Sequence, residues 1–302
     1  MPQIPRRYAI IQAPSILGLR TTGVDRLPER LLEHGLAESL NARSVTRLET
    51  LPQKPGRDPE TQTLNAPAIV SWSRQLADAV EAAIDRGDFP LILGGDCSIL
   101  LGSMLALKRR GRFGLQFIDG HTDFYQPEAE PTGEAASMDL AFATGYGPEP
   151  LTNIEQRRPL VRAEDTVAFG FRDGDIQGQH GSQSPPPELL AIDLAAVRRM
   201  GLEHATRAAL ERVTRAELAG FFIHFDADAL NDDIMPAVDY RMADGLSASE
   251  VTYVLHAAMA TGRAVGLEVT IYNPALDHDG SAGRELTSIL ASALGGDKRR
   301  RR

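Results

Sequence analysis

Cysteine is nearly missing from this chain: Cys97 is the only one in 302 residues. No intramolecular disulfide can form, which suits a reducing compartment and predicts a cytoplasmic protein. Long apolar runs are missing too. None approaches the roughly 20 residues that cross a bilayer, and the opening MPQIPRRYAIIQAPS is too weakly apolar for a secretory leader. Positive charge is in deficit. Thirty-two Lys and Arg against 41 Asp and Glu leave a formal charge of −9, which argues against nucleic acid as a partner. The one basic run, Lys298 to Arg302, follows Gly295, Gly296 and Asp297 and reads as a frayed, solvated tail. Internal repeats, a clear linker and a coiled-coil pattern are absent. With 42% hydrophobic residues, the chain has apolar material for one large domain or two small ones, and without a clear linker a single domain over residues 1–302 is expected.

What is present is an alternation of short apolar runs with helical patterns. Tyr8 to Gln12 reads as the first strand. Residues 73–86 carry Leu76, Val80, Ala83 and Ile84 on one helical face, and Gly87 stops that helix. FPLILGG follows as a buried strand. Ile99 to Lys108 is helical, 113–118 and 166–171 are strands, and 203–217 is helical. FFIHFDAD at 221–228 is again a strand. Ser247 with Glu250 resembles a capping box for a helix reaching about Thr261. AVGLEVTIY is the last strand and 282–294 the last helix. Gly174 to Glu188, with three consecutive prolines, reads as a surface loop. Strand then helix, repeated, predicts an α/β fold with a mostly parallel sheet covered on both faces.

Polar clusters fall at the expected carboxyl ends of strands, where open parallel sheets collect ligands. One is Gly94-Gly95-Asp96-Cys97-Ser98. FIDGHTD places Asp119, His121 and Asp123 two apart, so on a strand they share a face. His224, Asp226 and Asp228 repeat that spacing, and Glu268 with Asn273-Pro274 closes the set. A single Asp here would be a helix or turn cap. Asp119, His121, Asp123, Asp226 and Asp228 at two strand ends are costly together unless a cation lies between them. Such ligands suit Mn, Fe(II) or Zn. A carboxylate bridging two ions would activate a water for attack on a trigonal carbon.

In order along nearly the whole chain, QAPSILG, GGDCS, DGHTD, FGFRDGD, HFDADALND, DGLSASE and YNPALD resemble the ureohydrolase family of arginases, agmatinases, formimidoylglutamases and related amidinohydrolases. The resemblance implies a three-layer α/β/α sandwich around an eight-stranded, mostly parallel sheet. It also implies two Mn ions at the strand ends, hydrolysis of a guanidino or imino C–N bond, and a homo-oligomer, trimer or hexamer. By the same resemblance Asp119 and Asp226 bridge the ions, and Asp123 completes one site and orients the nucleophilic hydroxide. His121 and Asp228 complete the other site. The family's histidine after its GGD motif is here Cys97. As a ligand this thiolate favours Zn or Fe(II) over Mn; as a packed thiol it leaves that site weak. His224 is a second source of the missing imidazole.

Three departures concern the substrate. Tyr125 stands where the family uses Asn to hold an amino-acid carboxylate. Ala136 stands at a proton-transferring His, and Ile271 at a Glu that pairs with the guanidinium. Glu268 occupies the place of an upstream acid; Asp123 and Glu268 are the candidate catalytic acids. These residues predict a metal-dependent hydrolase of a small molecule with a linear amidine- or guanidine-type bond, other than arginine or agmatine. The loops at 124–137 and 174–187 and Asp239 to Met242 would line its pocket, whose acids suit a cationic or neutral polar ligand. The alternative is a single-metal or metal-free protein with a binding or structural role. Deacetylase chemistry would need an adjacent histidine pair, which the chain lacks.

Overall fold

The computed structural model describes residues 6–295, so the basic tail at 298–302 lies outside the described residues. Eight strands form one sheet: β1 (Tyr8–Ala13), β2 (Ser44–Arg47), β3 (Phe89–Gly94), β4 (Gly114–Ile118), β5 (Thr166–Phe169), β6 (Leu190–Ile192), β7 (Phe221–Asp226) and β8 (Ala264–Thr270). Their order across the sheet is β2-β1-β3-β8-β7-β4-β5-β6. Every neighbouring pair is parallel.

The apolar runs explain the centre. β3, β4, β5 and β7 are buried along their whole length, as strands covered on both faces must be. Helices Leu27–Glu33, Leu202–Val213, Ala248–Ala260 and Ser281–Leu294 pack on one face, against Ile10, Leu91, Ile223 and Leu267. Helices Ala66–Asp85 and Leu100–Arg110 pack on the other, against Ile11, Ile92, Leu115 and Phe117. Ser247 and Glu250 form the expected capping box. Gly87 follows the helix Ala66–Asp85 with φ of 71° and ends it as expected.

Several elements differ from the sequence reading. The helix expected from residue 73 begins at Ala66, with Pro67 in its first turn. The edge strand β2 is mostly exposed and β6 has only three residues, so neither shows an apolar run. The expected surface loop after Gly174 contains a helix, Gly174–His180. Its glycine-rich sequence is a poor helix former, but side-chain anchors hold it: Gln177 Nε2 donates to Asp173 Oδ2 at 2.6 Å, and Tyr125 Oη meets His180 Nδ1 at 2.9 Å.

The strand ends also differ. β4 stops at Ile118 and β7 at Asp226, so the period-two argument does not extend through Asp123 or Asp228. A 3-10 turn, Ala227–Ala229, follows β7, and the Asp226 side chain accepts from Asp228 N. Turns rather than pleats aim the later acids.

The chain visits β3, β4, β7 and β8 far apart in sequence, yet they lie side by side as β3-β8-β7-β4. Their carboxyl ends therefore meet. Register aligns Phe117 on β4, His224 on β7 and Glu268 on β8 across the sheet. Close approach at β3 requires glycine: a Cβ on Gly95 would sit 1.7 Å from the Ser15 carbonyl oxygen. Gly95→Ala is therefore expected to destabilise the protein by roughly 3 kcal/mol or more, since backbone must move. Urea unfolding of both proteins checks this, and a cost below about 0.5 kcal/mol, the size of ordinary surface changes, would contradict it.

Candidate active site

Two groups of ligand-type side chains share the strand ends. Cys97, Asp119, His224 and Asp226 each offer an atom, all within 4.8 Å of one another, and all four residues are buried. The Cys97 thiol donates to Asp226 Oδ2 at 2.8 Å, and Thr270 Oγ1 donates to the same oxygen at 3.2 Å. Cys97 sits where the chain turns from β3 into a 3-10 turn capped by Asp96, whose side chain accepts from Ser98 N. Burial, then the Asp226 charge, pushes the thiol well up, so without a cation it stays protonated.

The second group is Asp119, His121 and Asp228. His121 Nδ1 lies 2.8 Å from Asp228 Oδ2. Gly120 between the two ligands is tight: its N donates to Asp228 Oδ1 at 2.9 Å, and a Cβ there would lie 2.6 Å from the Asp228 carbonyl oxygen. Asp119 belongs to both groups. Its Oδ1 accepts from His121 N at 2.6 Å, while Oδ2 is buried with no hydrogen-bond partner. His224 Nε2 is bare in the same way. Buried polar atoms without partners are costly, and here they converge. These residues fit divalent metal ions: hard carboxylates, two imidazoles and one thiol face one space.

Asp123 is not in either group. Its backbone turns back at φ of 47°, and its side chain lines the cavity above the ligands. Behind it lies Asp139, fully buried, with neither carboxylate oxygen hydrogen-bonded to a donor. Its carboxyl neighbours that of Asp123, and burial of acids together favours their protonated forms. Burial first, then neighbouring acids, pushes Asp123 well up. Glu268 does not line the cavity. Its carboxylate takes Ser103 Oγ at 2.5 Å and His224 Nδ1 at 2.8 Å.

The cavity, of about 370 Å³, is walled by Tyr125, Glu134, Ala136, Ile176, Tyr240 and Ile271 among others. The predicted loops supply it. Three acids of its wall are already engaged. Glu134 accepts from Arg20 N and from the Tyr240 hydroxyl. Glu130 takes the backbone N–H groups of Thr132, Gly133 and Glu134. Asp173 takes Thr122 and Gln177. Ile271 is held at φ of 69°, a strained conformation for a β-branched residue, with its N donating to Gly95 O at 2.9 Å.

Sequence reasoning missed Asp139, Ser103, Thr270 and Asp173. Asp139 opens a short helix and reads as an ordinary first-turn acid. Ser103 is recognisable only once Glu268 is placed beneath it. The FRDGD stretch contains Asp173 but does not reveal that its side chain holds Thr122.

Charge in the metal-free site depends on pH. Burial, then Asp228, lifts Asp119 to about 6. Burial disfavours charge on His121, but Asp228 outweighs it and holds the ring up to about 10. A carboxyl raised on folding stabilises while protonated, and Asp119 loses that contribution as pH rises through about 6. His121 loses its contribution as pH rises through about 10. Asp228 is pulled down to about 2 through the same ion pair, so its loss lies below this range. Metal ligation demands the deprotonated forms. The expected result is that chelator-stripped protein loses thermal stability between about pH 5 and 9, while Mn(II) or Zn(II) widens its advantage over the same range. At saturating metal the Tm gain should exceed roughly 5 °C. Equal melting curves with and without metal would contradict a metal centre.

The chain matches the Arginase family over residues 6–297. It is 27% identical to an arginase of Bacillus subtilis (strain 168) over 296 residues, covering 96% of this chain and 98% of that protein. An arginase of Staphylococcus aureus (strain MRSA252) is 26% identical over 294 residues, covering 95% and 96%. In fold, the native structure of arginase from Bacillus caldovelox superposes with a TM-score of 0.83 at 24% identity, over 97% of this chain and 99% of that one. The eight-stranded parallel sheet with helices on both faces is thus the arginase fold, and the chain belongs to the arginase family.

Proposed function

We propose that the protein is a binuclear metal hydrolase of a guanidine- or amidine-type C–N bond, and that free arginine and agmatine are not its substrates. The observation that carries the reading is the meeting of two ligand groups through Asp119 at the base of one cavity. Divalent ions held there would supply an activated water and take up negative charge as the trigonal carbon is attacked. The acid-rich His121 side suits Mn(II), and the Cys97 side suits Zn(II) or Fe(II). Cys97 must stay reduced to serve, which supports a cytoplasmic setting.

The chain's own groups divide the remaining work. Asp123 faces the cavity and, with Asp139 behind it, is placed to orient the attacking water and hold a proton for the leaving nitrogen. Glu268 acts through His224 rather than on substrate. The wall supports the exclusion of arginine. Ile271 offers no carboxylate to a guanidinium, and Glu130, Glu134 and Asp173 are occupied by donors of the protein itself. A permanently cationic group would be desolvated there without a partner. A neutral guanidine- or amidine-type group, its basicity lowered by a substituent, suits a wall with Ala136, Ile176 and Ile271.

The test is a panel of substituted amidines and guanidines, with arginine and agmatine, assayed for C–N cleavage by metal-loaded protein. Arginine and agmatine should turn over far below the typical ~10 per second. At least one neutral compound should exceed them. Asp226→Asn should lower that rate by about 1,000-fold or more, the scale on which losing a charge-stabilising group acts. Arginine turnover at typical rates would overturn the exclusion, and no cleavage across the panel by metal-loaded protein would favour a binding role.

Ile271 provides a second check. Ile271→Gly should cost no more than about 1 kcal/mol, because relief of its positive φ offsets most of the lost burial of this buried side chain. A drop of about 3 kcal/mol, the usual cost of emptying a packed site, would mean that Ile271 is there for packing.

A further inference from the structure

We propose that His224 is a ligand of the first metal position, its Nε2 completing a Cys97–His224–Asp119–Asp226 set. The inference rests on the binuclear reading above and adds which atoms hold the ion. Two contacts fix the ring, and a third holds one of the partners. Phe117, its register partner on β4, stacks on it with centroids 4.4 Å apart and planes 7° apart. Glu268, its register partner on β8, accepts at Nδ1 over 2.8 Å. Ser103 holds the other Glu268 oxygen at 2.5 Å. With the proton on Nδ1 directed to a carboxylate, Nε2 carries the free lone pair. A carboxylate behind an imidazole in this way fixes the tautomer and raises the basicity of a metal-ligating histidine.

The Nε2 side is where the ring lacks a partner. Nε2 is fully buried and makes no hydrogen bond; the nearest acid oxygen, Asp119 Oδ2, lies 3.6 Å away and is equally bare. That separation is too long for an N–H···O bond but suits two ligands of one ion at bond lengths of about 2 Å each. Cys97 Sγ and an Asp226 oxygen fall within the same 4.8 Å. An ordinary core imidazolium would instead draw Asp119 into contact. Asp123 is then left outside the set, free to face the cavity beside Asp139.

Zinc X-ray absorption on fully loaded wild-type protein tests this without mutation. With His121 and His224 both bound, the average is about one imidazole per zinc; with His121 alone it is about a half. His224→Asn supplies the second arm, because an amide still reaches Glu268 but has no atom at Nε2. Its zinc content should fall from about two per chain to about one, and the thiolate-to-Co(II) absorption should disappear in the cobalt-loaded variant. Two zincs in folded His224→Asn, with thiolate absorption intact, would overturn the assignment while leaving the binuclear reading in place. Failure of wild-type protein to retain zinc or manganese would overturn both.

Discussion

The buried acids at the centre of the sheet set the terms for the rest of the molecule. Asp119, Asp123, Asp139, Asp226 and Asp228 are all nearly removed from water. Together they cannot all remain charged unless positive charge joins them. His121 and His224 supply some from within the cluster, each already drawn to particular carboxylates, and Arg172 supplies more at the Asp228 edge. The site is therefore poised between holding protons and holding cations. A fold that spends stability to keep such a cluster dry has a use for the cation.

The sheet order makes the cluster possible. The loop after β4 brings Asp119 and His121, and β7 brings Asp226, 107 residues later by number (226 − 119). Parallel pairing puts every carboxyl end on one side, and the order β3-β8-β7-β4 sets the four polar ends next to each other. Glycine lets the turns close: Gly95 against Ser15, and Gly120 against Asp228. The apolar layers on either face are continuous beneath, so the polar groups lie above a packed core rather than inside it.

Base and wall of the cavity carry different information. Metal-ligand chemistry is concentrated at the base, where cross-strand register and hydrogen bonds hold each group. Around it, the wall loops place an isoleucine and an alanine beside acids whose oxygens are already occupied. Two residues at the boundary, Asp123 and Ile271, have positive φ. Departures from local preference at such a boundary are the usual mark of a functional site.

Much of this was legible in the residues themselves. Burial on both faces leaves continuous apolar runs, so β3, β4 and β7 could be read directly, and the capping box at Ser247 marked its own helix. The acids after those runs pointed to a site because like charges crowded at a buried strand end need a cation among them. The exposed edge β2 and the glycine-rich helix Gly174–His180 were not legible, since solvent exposure and tertiary anchoring leave no periodic signal. Nor was the division of labour among the acids. Period-two spacing grouped Asp123 with Asp119, whereas a turn at positive φ takes it to Asp139 instead. The same spacing singled out His224 but not its partners. Phe117, Ser103 and Glu268 meet that ring only through parallel register and helix packing, and such contacts between distant segments exist only in the folded chain.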